Sequence, residues 1–159
     1  RGYLSSTFDT FLIYPNFEKN FLIRTDASAK GIGGVLLQVE EDKMVLPIYC
    51  VSRSLKPSER NYSTLDLEGL ALIYCLKKFR EYIVSNKNTT IIITDHKPLL
   101  GFFEKSIPTK GRHLRWIEEL NKYNLKIKYE KGKKNFSCFV RCFVRCPNAD
   151  IHCIFNCIM

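Results

Sequence analysis

Residues 89–94 read Thr-Thr-Ile-Ile-Ile-Thr, β-branched at every position. Such a run has no polar face to offer water, so it is expected as a strand covered on both sides. A strand of that kind needs layers above and below it, which points to a sheet flanked by helices. The rest of the chain supplies both. Residues 20–26, 31–38 and 44–51 are short apolar-rich runs, and charged Glu40-Glu41-Asp42-Lys43 separates the last two. They are expected as an antiparallel meander, followed by a polar linker over residues 52–62. Residues 125–130 (LKIKYE) alternate as a strand with one wet face.

The longest helical pattern covers residues 63–84. Ser63, with Asp66 three positions on, has the spacing of a capping box. Leu65, Leu72, Leu76, Phe79 and Ile83 recur at helical spacing and define the face turned to the sheet. Shorter helices are expected near residues 98–104 and 112–123. The predicted fold class is therefore α/β, and 159 residues suit one compact domain.

Three acidic residues stand out. Asp26 and Asp95 each follow a threonine at the end of a strand. If the two strands are parallel neighbours, both carboxylates emerge at one carboxyl edge, where sites form in open sheets. A strand-end aspartate by itself is as well explained by turn hydrogen bonds. Glu68 lies on the apolar stripe of the long helix, where an ionised group needs an ion pair or a cation. Asp66 is rotated from it by about 200° and reads as a capping residue. Clustered carboxylates suit Mg²⁺ or Mn²⁺, and two such ions can promote phosphodiester hydrolysis.

The charge balance fits that chemistry. Lysine and arginine number 25 against 16 acidic residues, a formal charge of +9, as a chain facing a polyanion carries. No apolar run reaches the ~20 residues of a membrane-spanning helix, and the N-terminus lacks a signal-peptide layout. An intracellular location is expected, with no membrane partner. The first residue is not Met, so the chain reads as a fragment. Cys50 and Cys75 sit in apolar runs as small hydrophobes. Cys138, Cys142, Cys146, Cys153 and Cys157 crowd the tail at spacings wider than zinc knuckles use, so zinc is the minor reading there.

In chain order, Tyr14-Pro-Asn-Phe, Ile23-Arg-Thr-Asp-Ala-Ser-Ala-Lys-Gly-Ile-Gly-Gly-Val-Leu, Pro47-Ile-Tyr, Ser52-Arg-Ser-Leu, Asn61-Tyr-Ser-Thr with Glu68, Phe79-Arg, Thr94-Asp-His-Lys-Pro-Leu and Arg115-Trp form a connected set of motifs. The set resembles the ribonuclease H domain linked to the reverse transcriptase of gypsy-type LTR retrotransposons, over roughly residues 14–135. The resemblance implies a ribonuclease H-like mixed five-stranded sheet with flanking helices. It implies a metal-dependent endonuclease that hydrolyses the RNA strand of an RNA/DNA hybrid, using two Mg²⁺ (or Mn²⁺) ions on an Asp-Glu-Asp-Asp set. Asp26, Glu68 and Asp95 match the first three positions. Partners implied are the hybrid and the polymerase and connection domains of the same polyprotein, although residues 1–20 are too few to hold a polymerase palm.

The fourth acid departs from the pattern. An ungapped continuation past Asn135 puts Phe139 in its place, whereas Pro147-Asn-Ala-Asp150 has the expected form after an eleven-residue insert, residues 136–146, bearing the repeat CFVR-CFVR. Asp150 is carried over as the fourth carboxylate on that basis. The insert also keeps an alternative alive: a degenerate domain that binds nucleic acid without cleaving it. The expected division is residues 1–19 as the end of the connection, 20–135 as the ribonuclease H-like domain and 136–159 as an atypical Cys-rich tail. Candidate nucleic-acid contacts are Ser28, Arg60, Asn61, His96, Lys97, Arg112 and Arg115, with Lys56, Lys110, His113 and residues 131–134 as further phosphate contacts. Trp116 is expected in the core.

Overall fold

The computed structural model describes residues 12–104 and 110–131. Among the described residues five strands, numbered β1 (Phe21–Ala27), β2 (Gly31–Val39), β3 (Val45–Ser54), β4 (Thr90–Thr94) and β5 (Leu125–Tyr129), form one sheet in the order β3-β2-β1-β4-β5. Strands β1, β2 and β3 make the antiparallel meander. A register shift at Leu36/Leu37 marks a bulge between β2 and β3. The β1–β2 turn is closed by Ser28, whose hydroxyl accepts from the Lys30 and Gly31 amides at 3.2 and 3.1 Å. β4 pairs parallel with β1 on one side and with β5 on the other. β4 is buried along most of its length, and β5 alternates half-buried Leu125 and Ile127 with exposed Lys126 and Lys128, as their sequences require.

Two expectations need correction. The linker assigned to residues 52–62 begins later, because β3 runs on through Ser54, with Pro57–Glu59 a single 3₁₀ turn. The long helix of residues 63–84 is two helices, α1 (Thr64–Lys78) and α2 (Arg80–Ser85). The chain bends at Phe79, where φ is −92° and ψ is 5°. No glycine or proline marks the bend. Phe79 is fully buried and meets Tyr49 edge-on at 5.8 Å, and the bend carries Tyr82 to 6.0 Å from the same ring. Packing on β3 thus overrides a continuous helical pattern. α3 (Lys97–Glu104) and α4 (Gly111–Leu120) follow β4.

α1 lies across β1 and β2. Between them, Phe21, Ile23, Leu36 and Ile92 meet Leu72, Leu76 and Phe79, joined by Trp116 of α4. Each such side chain contributes about 1.5–3 kcal/mol on burial. Gly34 permits the approach: a Cβ there would stand 2.6 Å from both the Arg24 carbonyl and Cys75 Sγ. Leu22, Val35, Leu37 and Ile93 form a second buried cluster from alternate positions of β1, β2 and β4. Residues 12–20 are tied to the domain, with the Ile13 amide donating to Pro47 O at 3.0 Å and Asn86 Nδ2 to Lys19 O at 3.0 Å. Among the described residues no helix is long and apolar enough to cross a membrane.

Candidate active site

The parallel pairing of β1 with β4 decides where the acids fall. Leu22 lies opposite Ile91, Ile23 opposite Ile92 and Arg24 opposite Ile93. Two residues further on, the same register sets Asp26 level with Asp95 at the carboxyl edge of the sheet. Both are half-buried. Directly opposite Asp26, on β2, stands Gly33. Glu130 follows β5 at the same edge; its amide donates to Thr94 O at 3.0 Å, and its carboxylate takes an ion pair from Arg24 Nη2 at 2.8 Å.

Glu68 comes from the first half of α1, the helix that covers β1 and β2, and is 6% exposed. The helix begins where the sequence says it should, with Ser63 Oγ accepting from the Asp66 amide at 3.2 Å. The reciprocal half of the capping box is missing, which corrects the reading of Asp66. Its carboxylate turns away from the cap and is buried against α4, 2.6 Å from His113 Nε2 and 2.9 Å from Lys110 Nζ, with Arg112 at 3.9 Å. Burial pushes the Asp66 pKa up, but the hydrogen bonds from His113 and Lys110 outweigh it and hold the group below its ordinary 3.8.

The cation candidates separate accordingly. His113, expected among the phosphate contacts, is 4% exposed and committed to Asp66. Lys110 is exposed but spends one donor there, and Arg112 is half-buried with its guanidinium 3.9 Å from the Tyr62 ring centre. Arg60, Asn61, Lys56, Lys97 and Arg115 are exposed, and His96 is half-buried beside Asp95. The Ser28 hydroxyl is engaged in its turn, two residues beyond Asp26. Trp116 is in the core as expected, seated on Gly69, where a Cβ would lie 2.6 Å from the indole. Asp150, the cysteines of the tail and residues 132–134 lie outside the described residues.

Among the described residues no three His, Cys, Asp or Glu side chains stand close enough together to hold a metal ion. The donor chemistry nevertheless fits a hard divalent cation, since Asp26, Glu68 and Asp95 offer only carboxylate oxygens. Among the described residues two thiols remain, Cys50 and Cys75. Burial pushes Cys50 up to about 12, and Cys75 is fully buried with its pKa also raised by burial. The link from Asp66 to α4 was missed in the sequence; the signal available was His113 and Trp116 at i, i+3, one polar and one apolar group on the same helix face.

Comparison with known proteins bears on the family and the fold. Residues 16–123 match the model of the RNase H-like domain found in reverse transcriptase. The chain is 39% identical over 128 residues to the retrovirus-related Pol polyprotein from transposon gypsy of Drosophila melanogaster, covering 80% of this chain and 12% of that polyprotein. It is 36% identical over 121 residues to the transposon Tf2-3 polyprotein of Schizosaccharomyces pombe, covering 76% of this chain and 9% of that one. Among solved structures, an RNase H1 isolated from compost by a metagenomic approach superposes with a TM-score of 0.60 at 15% identity, covering 80% of this chain and 94% of that one. A foamy viral protease-reverse transcriptase in complex with RNA/DNA hybrid gives 0.60 at 15% identity, covering 78% of this chain and 17% of that one. At such identities the structural likeness speaks for the fold.

Proposed function

The chain belongs to the RNase H-like domain family found in reverse transcriptases, and from that premise we propose that it is a metal-dependent endonuclease hydrolysing the RNA strand of RNA/DNA hybrids. The observation that carries the reading is the parallel β1–β4 register, which makes Asp26 and Asp95 neighbours at one sheet edge under the helix that bears Glu68. In this reading Asp26, Glu68 and Asp95, with Asp150 as the fourth carboxylate, hold two Mg²⁺ or Mn²⁺ ions. Bound there, the ions would activate a water and stabilise the leaving oxygen of the phosphodiester.

The protein's own groups do the rest. The exposed Arg60, Asn61, Lys97 and Arg115, with half-buried His96 and Arg112, hold backbone phosphates and give affinity with little sequence preference. Ser28 shapes the rim next to Asp26 through its turn. Preference for a hybrid over DNA requires contacts to 2′-hydroxyls across the minor groove. The domain works as part of a larger polyprotein beside polymerase and connection domains, inside the cell. Residues 1–19 belong to the connection, 20–135 to the nuclease domain and 136–159 to the tail.

The test is cleavage of a labelled RNA/DNA hybrid with Mg²⁺ or Mn²⁺ by the chain, Asp26→Asn and Asp150→Asn. Cleavage abolished by both substitutions supports the full four-acid site. Loss in Asp26→Asn alone keeps the nuclease and removes Asp150. Hybrid binding without cleavage by the unaltered chain would favour the degenerate binding domain, the reading that the insert before Asp150 supports.

A further inference from the structure

Two contacts from one helix bracket Glu68. Before it in the chain, Asp66 is gripped by His113 Nε2 at 2.6 Å and Lys110 Nζ at 2.9 Å, both from the start of α4. After it, Gly69 is covered by the Trp116 indole so tightly that a methyl group would stand 2.6 Å from it. His113 and Trp116 are themselves adjacent, with ring centres 5.4 Å apart. The polar and apolar contacts therefore act as one surface of α4 on the first two turns of α1. Both Asp66 and His113 are almost wholly buried, at 2% and 4% exposure, so water cannot substitute for either partner without opening the contact.

A helix end is its least fixed part, since its first amides lack intrahelical partners and fray. Ser63 satisfies one of them. A cap fixes where the helix starts, but it does not set the helix's rotation about its axis. Asp66 and Gly69, three residues apart, share one face of α1, and holding that face against α4 at two points does set it. We infer that Asp66 is a positioning residue for the candidate site: the Asp66–His113–Lys110 cluster, with Trp116 on Gly69, fixes the rotation of the first turns of α1 and so the direction in which Glu68 presents its carboxylate. This rests on the proposed nuclease reading for its consequence, though not for its geometry.

The experiment compares the unaltered chain with Asp66→Asn, the milder Lys110→Met and a control, Leu76→Ala, which weakens the same helix away from Glu68. Three quantities are read: amide hydrogen exchange along α1, Mn²⁺ affinity by calorimetry, and kcat and KM on a labelled hybrid well below the melting temperature. For Asp66→Asn the expected result is faster exchange confined to residues 67–70, Mn²⁺ affinity and kcat both lower by about 10- to 100-fold, and an unchanged KM, the range typical when a group orienting a metal ligand is lost. Lys110→Met moves the same quantities less. Leu76→Ala lowers the melting temperature and leaves kcat alone. Exchange at residues 67–70 as slow as in the unaltered chain would overturn the inference, as would a loss carried by KM, which would make the cluster part of the substrate surface. If the unaltered chain fails to cleave, the nuclease reading falls while exchange still decides the brace.

Discussion

The two halves of α1 lie on the same sheet and are built on opposite principles. From Leu72 to the bend at Phe79 the buried side chains are apolar, and they seal against Phe21, Ile23, Leu36 and Ile92. From Ser63 to Gly69 the buried positions are Asp66, Glu68 and a glycine. Burying carboxylates costs stability unless a partner meets each one. The C-terminal half therefore contributes most of the adhesion, and the N-terminal half is held in place by it. For Asp66 the partners are Lys110 and His113 at the start of α4. A helix can bring acids into a protein interior when its other half has already secured it there.

The sharpest way to separate the halves is Glu68→Gln. It should lower hybrid cleavage by more than the roughly 100-fold that disturbing a metal's outer partners costs. Its urea midpoint should move far less than that of Leu76→Ala, because the amide has nearly the shape of the carboxylate and removes no apolar contact. A fall as large as that of Leu76→Ala together with intact cleavage would erase the distinction. Next comes Leu76→Ala in the apolar half, expected to cost about 2–5 kcal/mol in urea unfolding with no change in cleavage per folded molecule. Gly34→Ala tests the same half from the sheet side: the new methyl meets the Arg24 carbonyl at 2.6 Å, so a loss of about 1–3 kcal/mol is expected.

A smaller effect distinguishes the polar half by pH. Because the folded Asp66 has its pKa held below 3.8, its stabilisation is present above that value and is lost as pH falls through the folded pKa. The urea midpoint of the parent should drop through this acid range more steeply than that of Asp66→Asn. Parallel curves would mean that the pair contributes nothing to folding. The smallest difference is chemical. With Cys75 fully buried and its pKa raised, iodoacetamide at neutral pH should leave it unlabelled until urea unfolds the chain, as peptide mapping would detect.

Legibility in the sequence followed locality. β-branching announced β4, alternation announced β5, and the cap announced the start of α1, since each is written in neighbouring residues. The juxtaposition of Asp26 and Asp95 was readable because both end their strands in the same dipeptide, which a parallel pairing then aligns. The bend at Phe79 left no mark, being imposed by Tyr49 from another strand. The role of Asp66 was equally hidden, because its partners lie 44 and 47 residues away and no periodicity spans that distance. His113 looked like a surface cation for the same reason. A charge on an amphipathic helix shows its type in the sequence, while its neighbours are set by tertiary packing.

The central position of β1 has a consequence for time as well as space. β1 sits between β2, its next neighbour in the chain, and β4, which is reached only after the meander and α1. The meander can zip up from short loops. The β1–β4 pairing must close a much longer one, and non-local parallel pairing is slow to form. During synthesis at about 5–20 residues per second, the strand ends bearing Asp26 and Asp95 are separated by several seconds. The acidic edge can therefore form only once β4 has been made, and a ribosome stalled before β4 presents the meander and α1 with Asp26 but without Asp95.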